Sequence, residues 1–223
     1  MKVSQISLAI SNAFLIQGRR PILVDAGCRS DWDALSGQVE ARGVPIEKLA
    51  GVVLTHVHAD HCGCAAELKE RGVPVIACAK SQSFLAEGIQ EHGRIARFSN
   101  RLDRLIQKSG LLSFVPVEVD VAVESEVSLA DFGIDGKVVR TPGHTESSLS
   151  VLLDNGIACI GDLLMGGVFG LPPAWIPALH PSSKDQAECR AQIINLRKIG
   201  YRTFCVGHGD ILESRFIDEW ILK

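Results

Sequence analysis

The stretch Thr55-His56-Val57-His58-Ala59-Asp60-His61 directly follows an apolar run at 51–54. His56 and His58 are two residues apart, so as they leave a strand they project to the same side. Asp60 and His61 follow where the chain turns into a helix, and they face a second point nearby. Imidazole and carboxylate are zinc ligands, and packing them together without a cation desolvates them at a cost. The spacing therefore predicts a metal site at the end of a buried strand.

Three later segments place the same kinds of side chain at the ends of predicted strands. His144 follows a Thr-Pro-Gly turn, Asp162 follows Gly161 at the end of an apolar strand, and His208 lies between two glycines. Glycine lets the backbone approach a neighbour closely. Each segment is weak evidence alone, but together with 55–61 they indicate one centre built from several strand ends.

The rest of the chain alternates short apolar runs with helical patterns and shows a weak internal repeat. Each half has a strand ending in Asp, ILVD at 22–25 and ACIGD at 158–162, then a helix, then a strand ending at His56 or His208. Asp154-Asn155-Gly156 predicts a tight hairpin turn before the second of these strands. We therefore predict an α+β protein of two related β-rich halves, with sheets face to face and helices outside.

Size, composition and charge limit the classes of function. The 223 residues suit one domain spanning 1–223, and the net charge of −3 argues against a nucleic-acid partner. No apolar run approaches the ~18 residues of a membrane span, and the first residues do not resemble a signal peptide. The seven cysteines are an odd number in scattered apolar runs, which favours buried free thiols in a reducing compartment. We expect a cytoplasmic protein acting on a small molecule.

The motifs resemble those of the metallo-β-lactamase superfamily, in its order and over positions 12 to 210. The resemblance implies a four-layer αββα sandwich and a hydrolase of the glyoxalase-II-like or lactonase-like branch. By motif, it implies that Asp162 bridges two metals and that Asp25 holds the ligand loop from behind. It assigns the first metal to His56, His58 and His144, and the second to Asp60, His61 and His208.

Two zinc ions per chain are the expected cofactors, although iron or manganese suits the same ligands. The resemblance implies a dinuclear zinc hydrolase in which a metal-bound hydroxide attacks an ester, thioester or lactone carbonyl. Asp60 is the expected catalytic residue, because it would both hold the second metal and orient the nucleophile. The alternative is a mononuclear iron persulfide dioxygenase of the same superfamily, which would use His56, His58 and His144.

The substrate side of the site is less specified by the sequence. We expect a helical insert at 81–110 and an apolar loop at 166–181 near the metals, whose large side chains are candidates to line a substrate pocket. These side chains are Phe169, Leu171, Trp175 and Ile176. His92 and His180 match no ligand position and are expected at the surface. The substrate, the role of the insert as a lid and homo-oligomerisation stay open.

Overall fold

Two six-stranded sheets form the centre of the molecule. The computed structural model describes residues 1–91, 113–167, 171 and 173–222. The first sheet contains, in spatial order, β1 (Lys2–Ser7), β2 (Asn12–Gln17), β3 (Ile22–Val24), β4 (Val52–Val53), β5 (Val75–Cys78) and β6 (Val121–Val123). The pairs β1–β2 and β2–β3 are antiparallel, whereas the pairs β3–β4, β4–β5 and β5–β6 are parallel.

The second sheet also has six strands but is mostly antiparallel. It contains β7 (Glu126–Ser128), β8 (Gly136–Arg140), β9 (Leu149–Leu153), β10 (Ile157–Gly161), β13 (Thr203–Val206) and β14 (Leu212–Glu213). The spatial order is β14-β13-β10-β9-β8-β7. Only the β10–β13 pair is parallel within this sheet, as described. A separate ribbon pairs β11 (Met165–Gly166) with β12 (Pro177–Ala178).

Helices cover the outer face of each sheet. Next to the first sheet lie α1 (Trp32–Glu40), α2 (Ala59–Cys62), α3 (Ala65–Glu70) and α4 (Gln82–Glu87), and next to the second lie α5 (Gln186–Lys198) and α6 (Ser214–Ile221). Alternating strand residues feed separate cores. Phe14 and Ile16 pack between the sheets, whereas Leu15 packs against the helices with Leu35 and Leu68. The predicted four-layer αββα architecture is confirmed.

The predicted internal repeat is visible in the strand pairing. In the first half β2 and β3 form an antiparallel pair, and β4 then adds parallel to β3. In the second half β9 and β10 form the antiparallel pair, and β13 adds parallel to β10. The predicted hairpin turn at 154–156 joins β9 to β10, with Gly156 at a φ of 85°. Both halves therefore bring an Asp and a His to equivalent strand ends.

Two segments differ from their expected structure or lie partly outside the described residues. The loop expected at 166–181 contains the β11–β12 ribbon, whose Gly167 amide donates to the carbonyl oxygen of Ile176. Helix α4 lies at the start of the insert expected at 81–110, and residues 92–112 are outside the described part of the chain. Within the described residues, no helix is both long and apolar enough to cross a bilayer.

Candidate metal centre

The seven predicted ligand residues lie together where strands of the two sheets end. His56 and His58 follow β4, and His144 lies between β8 and β9. Asp162 follows β10 directly, and His208 follows β13. Ligand atoms of His56, His58, His144 and Asp162 lie within 4.8 Å of one another, and so do those of Asp60, His61 and His208. Strand pairing in the two sheets thus brings together residues that are more than a hundred positions apart in the sequence, such as His56 and Asp162.

The first group directs unprotonated ring nitrogens at a common point. His58 Nε2 donates to the carbonyl oxygen of Glu91 at 3.0 Å, which leaves Nδ1 unprotonated, with a free lone pair. Thr55 Oγ1 donates to Asp25 and accepts from His56 Nδ1, which leaves His56 Nε2 unprotonated, with a free lone pair. These two lone pairs are 3.0 Å apart, and His144 Nε2 lies 3.2 Å from the same His58 nitrogen. Lone pairs this close repel one another unless a cation lies between them.

The second group is arranged in the same way. His61 Nδ1 lies 2.9 Å from Asp25 Oδ2, and His208 Nδ1 lies 2.7 Å from the carbonyl oxygen of Ile10. Both acceptors require a proton on Nδ1, so in the neutral rings both Nε2 atoms present lone pairs. Asp60 Oδ2 lies 3.7 Å from His61 Nε2 and 3.5 Å from His208 Nε2. A histidine that donates its second nitrogen to a carbonyl or carboxylate is the usual form of a metal-binding histidine.

Asp162 lies between the two groups. Its Oδ2 is 3.8 Å from His56 Nε2, 3.6 Å from His144 Nε2 and 3.3 Å from His208 Nε2. Its Oδ1 is 3.5 Å from His61 Nε2. One carboxylate oxygen therefore faces the first group as well as His208, and the other faces the second group.

Unsatisfied buried atoms show that these residues fit a cation. Among the described residues, His61 Nε2 and Asp162 Oδ1 are buried without a hydrogen-bond partner. Such orphaned polar atoms are costly unless something pairs with them. Gly207 is required beside them, because a Cβ there would collide with the Asp162 carboxylate and the His61 ring. The structure thus keeps space around the atoms that a divalent metal would bind.

Asp25 joins the end of β3 to both ligand groups. Its carboxylate accepts from the Thr55 amide at 2.8 Å and from Thr55 Oγ1 at 2.8 Å, in addition to His61 Nδ1. It is buried, and it adopts a φ of 61°, in the left-handed region that Asp and Asn tolerate best among residues with side chains. The backbone strain is compensated by three hydrogen bonds that orient the 55–61 loop.

Burial and neighbouring charge shift the protonation of the centre in opposite directions. Burial lowers the pKa of His56 and of His144 well below the ordinary value. Burial also disfavours charge on His61, but the Asp162, Asp60 and Asp25 carboxylates together raise its pKa well above the ordinary value. Burial alone would raise the pKa of Asp162, but the charges of His208 and His61 hold that pKa well below its ordinary value. The clustered carboxylates therefore require positive charge, as protons or as metal.

Glu91 is a site residue that sequence analysis missed. It is buried, its carbonyl oxygen holds the His58 ring, and its amide donates to the carbonyl oxygen of Val57. Its carboxylate accepts from the Glu146 amide at 2.8 Å and from Ser147 Oγ. Glu91 therefore links the 55–61 loop to the turn that carries His144. It lies in the polar segment expected as a helical insert, and no motif there distinguishes it from the other polar residues.

The expectation that His180 lies at the surface is wrong. His180 is buried at 6% exposure, and its Nε2 lies 3.8 Å from Asp162 Oδ2. With Asp162 and His208 it forms a third cluster of candidate ligand atoms within 4.8 Å. The chain reaches this place because β12, just before His180, is paired in the ribbon. His92 lies outside the described residues.

The apolar residues predicted near the site remain on the surface. Leu171 is 65% exposed, Trp175 is 50% exposed and Ile176 is 49% exposed, while Phe169 lies outside the described residues. The ribbon that carries them contacts the His208 segment, because the Gly166 amide donates to the carbonyl oxygen of His208 at 2.8 Å. The Asp210 amide likewise donates to the carbonyl oxygen of Ala174. These apolar side chains therefore belong to a segment fastened to the metal centre.

Comparison with known proteins identifies the family to which this arrangement belongs. A family model described as the metallo-beta-lactamase superfamily matches residues 7–208. The chain belongs to this superfamily. A probable metallo-hydrolase of Methanocaldococcus jannaschii is 27% identical over 205 residues, covering 90% of this chain and 88% of that protein. The probable metallo-hydrolase YqjP of Bacillus subtilis is 25% identical over 225 residues, covering 90% of this chain and 67% of that protein.

Solved structures share the fold across almost the whole chain. A metallo-beta-lactamase family protein from Thermus thermophilus superposes with a TM-score of 0.72 at 20% identity, covering 99% of this chain and 78% of that one. The B3 metallo-beta-lactamase BLEG-1 superposes with a TM-score of 0.69 at 20% identity, covering 100% of both chains. The chain is thus a superfamily member with a candidate divalent metal site of histidines and aspartates.

Proposed function

We propose that the protein is a dinuclear zinc hydrolase acting on an ester, thioester or lactone bond of a small molecule. The observation that carries this proposal is the position of Asp162, whose Oδ2 faces His56, His144 and His208 while Oδ1 faces His61. A carboxylate shared between two complete ligand groups suits two metals. A second group of Asp60, His61 and His208 would be superfluous in a centre with one metal.

The zinc ions, when bound, supply an activated water as nucleophile and polarise the substrate carbonyl. His56, His58 and His144 would hold one ion, Asp60, His61 and His208 would hold the other, and Asp162 would bridge them. Asp60 is 17% exposed at its side chain, more than the 2% of Asp162. Asp60 therefore lies on the more open side of the centre. This position suits a carboxylate that both holds a metal and orients the nucleophile.

Two further observations support a hydrolase of small molecules. Both curated relatives described above carry the name of probable metallo-hydrolases. The exposed apolar residues Leu171, Trp175 and Ile176 would line the approach for the apolar part of a substrate.

All seven cysteines are buried free thiols, which supports a cytoplasmic location.

Metal analysis together with a substrate panel tests this proposal. Protein purified without added metal or chelator would be measured by elemental mass spectrometry, then assayed on p-nitrophenyl butyrate, a thioester and a γ-lactone. About two zinc per chain with turnover of one of these classes is the expected result. About one iron per chain, without hydrolysis, would favour the persulfide dioxygenase alternative. Two zinc with no turnover of any of the three bonds would overturn the proposed substrate class.

A further inference from the structure

His180 differs from the candidate ligands in the partner of its Nδ1 atom. The Ser182 backbone amide lies 3.2 Å from His180 Nδ1, and Ser182 Oγ lies 2.6 Å from the same atom. A backbone amide can only donate a hydrogen bond. His180 Nδ1 therefore accepts, and in the neutral ring the proton is on Nε2.

In the histidines of the two ligand groups that have unambiguous partners, the proton lies instead on the nitrogen that faces away from the centre. His58 Nε2 donates to the Glu91 carbonyl oxygen, and His208 Nδ1 donates to the Ile10 carbonyl oxygen, so the nitrogen facing the centre has a lone pair. His180 instead turns an N–H toward the centre, 3.8 Å from Asp162 Oδ2. A protonated nitrogen cannot bind a metal. His180 therefore lies among the ligands without the chemistry of one.

A short turn fixes this difference. The Ser183 amide donates to the His180 carbonyl oxygen at 3.1 Å, which closes the turn 180–183. Within it, Ser182 contacts His180 Nδ1, while Ser183 Oγ lies 3.1 Å from His144 Nδ1. The rings of His144 and His180 meet edge to face at 4.8 Å between centroids. Neighbouring serines thus orient two neighbouring histidines, His144 of the first group and His180 beside it.

We propose that His180 is a substrate-binding residue, whose Nε2–H donates a hydrogen bond to an oxygen of the substrate held beside Asp162. This proposal rests on the proposed function, since the oxygen belongs to the ester, thioester or lactone group or to the carboxylate product. The ring turns its Nε2–H toward the centre, because Nδ1 accepts from the Ser182 amide, and it does not bind metal. Its burial holds the donor in one orientation, and the serine contacts keep its proton on Nε2.

Two polar variants of matched character separate a donor from a ligand. In His180→Gln the side-chain amide can place its N–H near the position of Nε2, whereas in His180→Asn it lies near the position of Nδ1 and falls short. His208→Asn is the comparison for loss of a proposed ligand. Zinc per chain would be measured for each protein, and binding of butyrate, the carboxylate product of a butyrate ester, would be titrated by the visible spectrum of the cobalt-loaded protein.

We expect both His180 variants to keep the zinc content of the unaltered protein, whereas His208→Asn loses zinc. Butyrate affinity should fall about tenfold in His180→Asn and stay within about threefold in His180→Gln. Loss of zinc in both His180 variants would show that His180 is a ligand and overturn the proposal. Equal butyrate affinity in the unaltered protein and both His180 variants, or no butyrate binding by the unaltered protein, would also overturn it. Failure to hydrolyse the substrate panel concerns the proposed function alone, because the butyrate titration needs no turnover.

Discussion

Asp25 Oδ2 lies 2.9 Å from His61 Nδ1, and the same oxygen accepts from Thr55 Oγ1 at 2.8 Å. This one carboxylate therefore fixes the tautomer of His61 directly and orients His56 through Thr55, whose Oγ1 is 3.0 Å from His56 Nδ1. A ligand from each metal group depends on the same buried charge. On the basis of these contacts, we propose that Asp25 holds the ligand loop from behind, as the sequence predicts.

Replacing Asp25 should weaken metal binding without removing a ligand. Asp25→Asn keeps the shape and tolerates the φ of 61°, but it has one accepting oxygen where Asp25 uses two. We expect zinc affinity to fall by about 10- to 100-fold, as measured by competition with a chromogenic chelator. Asp131→Asn, at an exposed position, is the control and should bind zinc normally. Unchanged affinity in Asp25→Asn would show that the carboxylate is dispensable to the centre.

Removing the Asp162 carboxylate should abolish binding of one of the two proposed metals. Asp162→Ala leaves His56, His58 and His144 in place but takes away the oxygens that face both groups. We expect one zinc per chain in place of two and turnover lower by orders of magnitude, with the fold intact by circular dichroism. Asp154→Ala, in the exposed hairpin turn, is the matched control. Turnover close to that of the unaltered protein would disprove the bridging role.

The sequence predicts the architecture well where pattern and spacing repeat. The strands that end at His56 and His208 each follow an Asp-terminated strand, and this repeat is enough to place Asp162 and both histidines at one edge. The continuous apolar run at 13–16 suits the observed burial of β2 on both faces of its sheet. These features are local in sequence, and the pairing of strands turns them into a site.

Glu91 and His180 could not be predicted, because their positions depend on tertiary contacts alone. Glu91 reaches the centre only because α4 packs on the first sheet through Leu85. His180 reaches it because Met165 pairs with Ala178 in the ribbon. Neither residue stands in a motif or a periodic pattern, and a lone His in a Pro-rich segment is typical of a surface loop. Irregular segments carry site residues that only the folded chain identifies.

Glu91 should contribute to stability as well as to the centre. Glu91→Gln removes a charged acceptor from the Glu146 amide and Ser147 Oγ, while the Glu91 carbonyl oxygen still accepts from His58. We expect unfolding free energy to fall by about 1–3 kcal/mol, measured by urea denaturation of the zinc-loaded protein. Glu87→Gln, an exposed change at the end of α4, is the control and should be neutral. Equal midpoints for the two variants would refute a linking role for Glu91.

Trp175 should affect how well long acyl chains bind. Its side chain is 50% exposed on the ribbon fastened to the His208 segment, so it can cover the apolar part of a substrate. We expect Trp175→Ala to raise KM about threefold to tenfold for p-nitrophenyl octanoate and to leave the acetate ester unaffected. Ile199→Ala, an exposed apolar change at the end of α5, is the control. A KM ratio between the two esters that does not change would exclude Trp175 from the substrate pocket.

Zinc binding should release protons at neutral pH. The pKa values of His61 and His208 are raised in the metal-free protein. Burial lowers the pKa of His61, but the Asp162, Asp60 and Asp25 carboxylates outweigh that effect. Burial likewise lowers the pKa of His208, and there the Asp162 carboxylate outweighs it. In the absence of metal, this pair therefore stabilises the fold most below pH ~6.5 and loses that contribution as pH rises through the raised values. Zinc must displace those protons, so its affinity should rise with pH until the two histidines are neutral, and fall on acidification.

Isothermal titration calorimetry at pH 7 in buffers of different ionisation enthalpy measures this release. We expect the observed enthalpy to depend on the buffer, and the number of protons released should drop in His208→Asn. The lowered pKa values of His56 and His144 predict that these two ligands release few protons, because burial already keeps them neutral. A binding enthalpy independent of the buffer would mean that the carboxylates do not hold protons on His61 and His208 before the metal arrives.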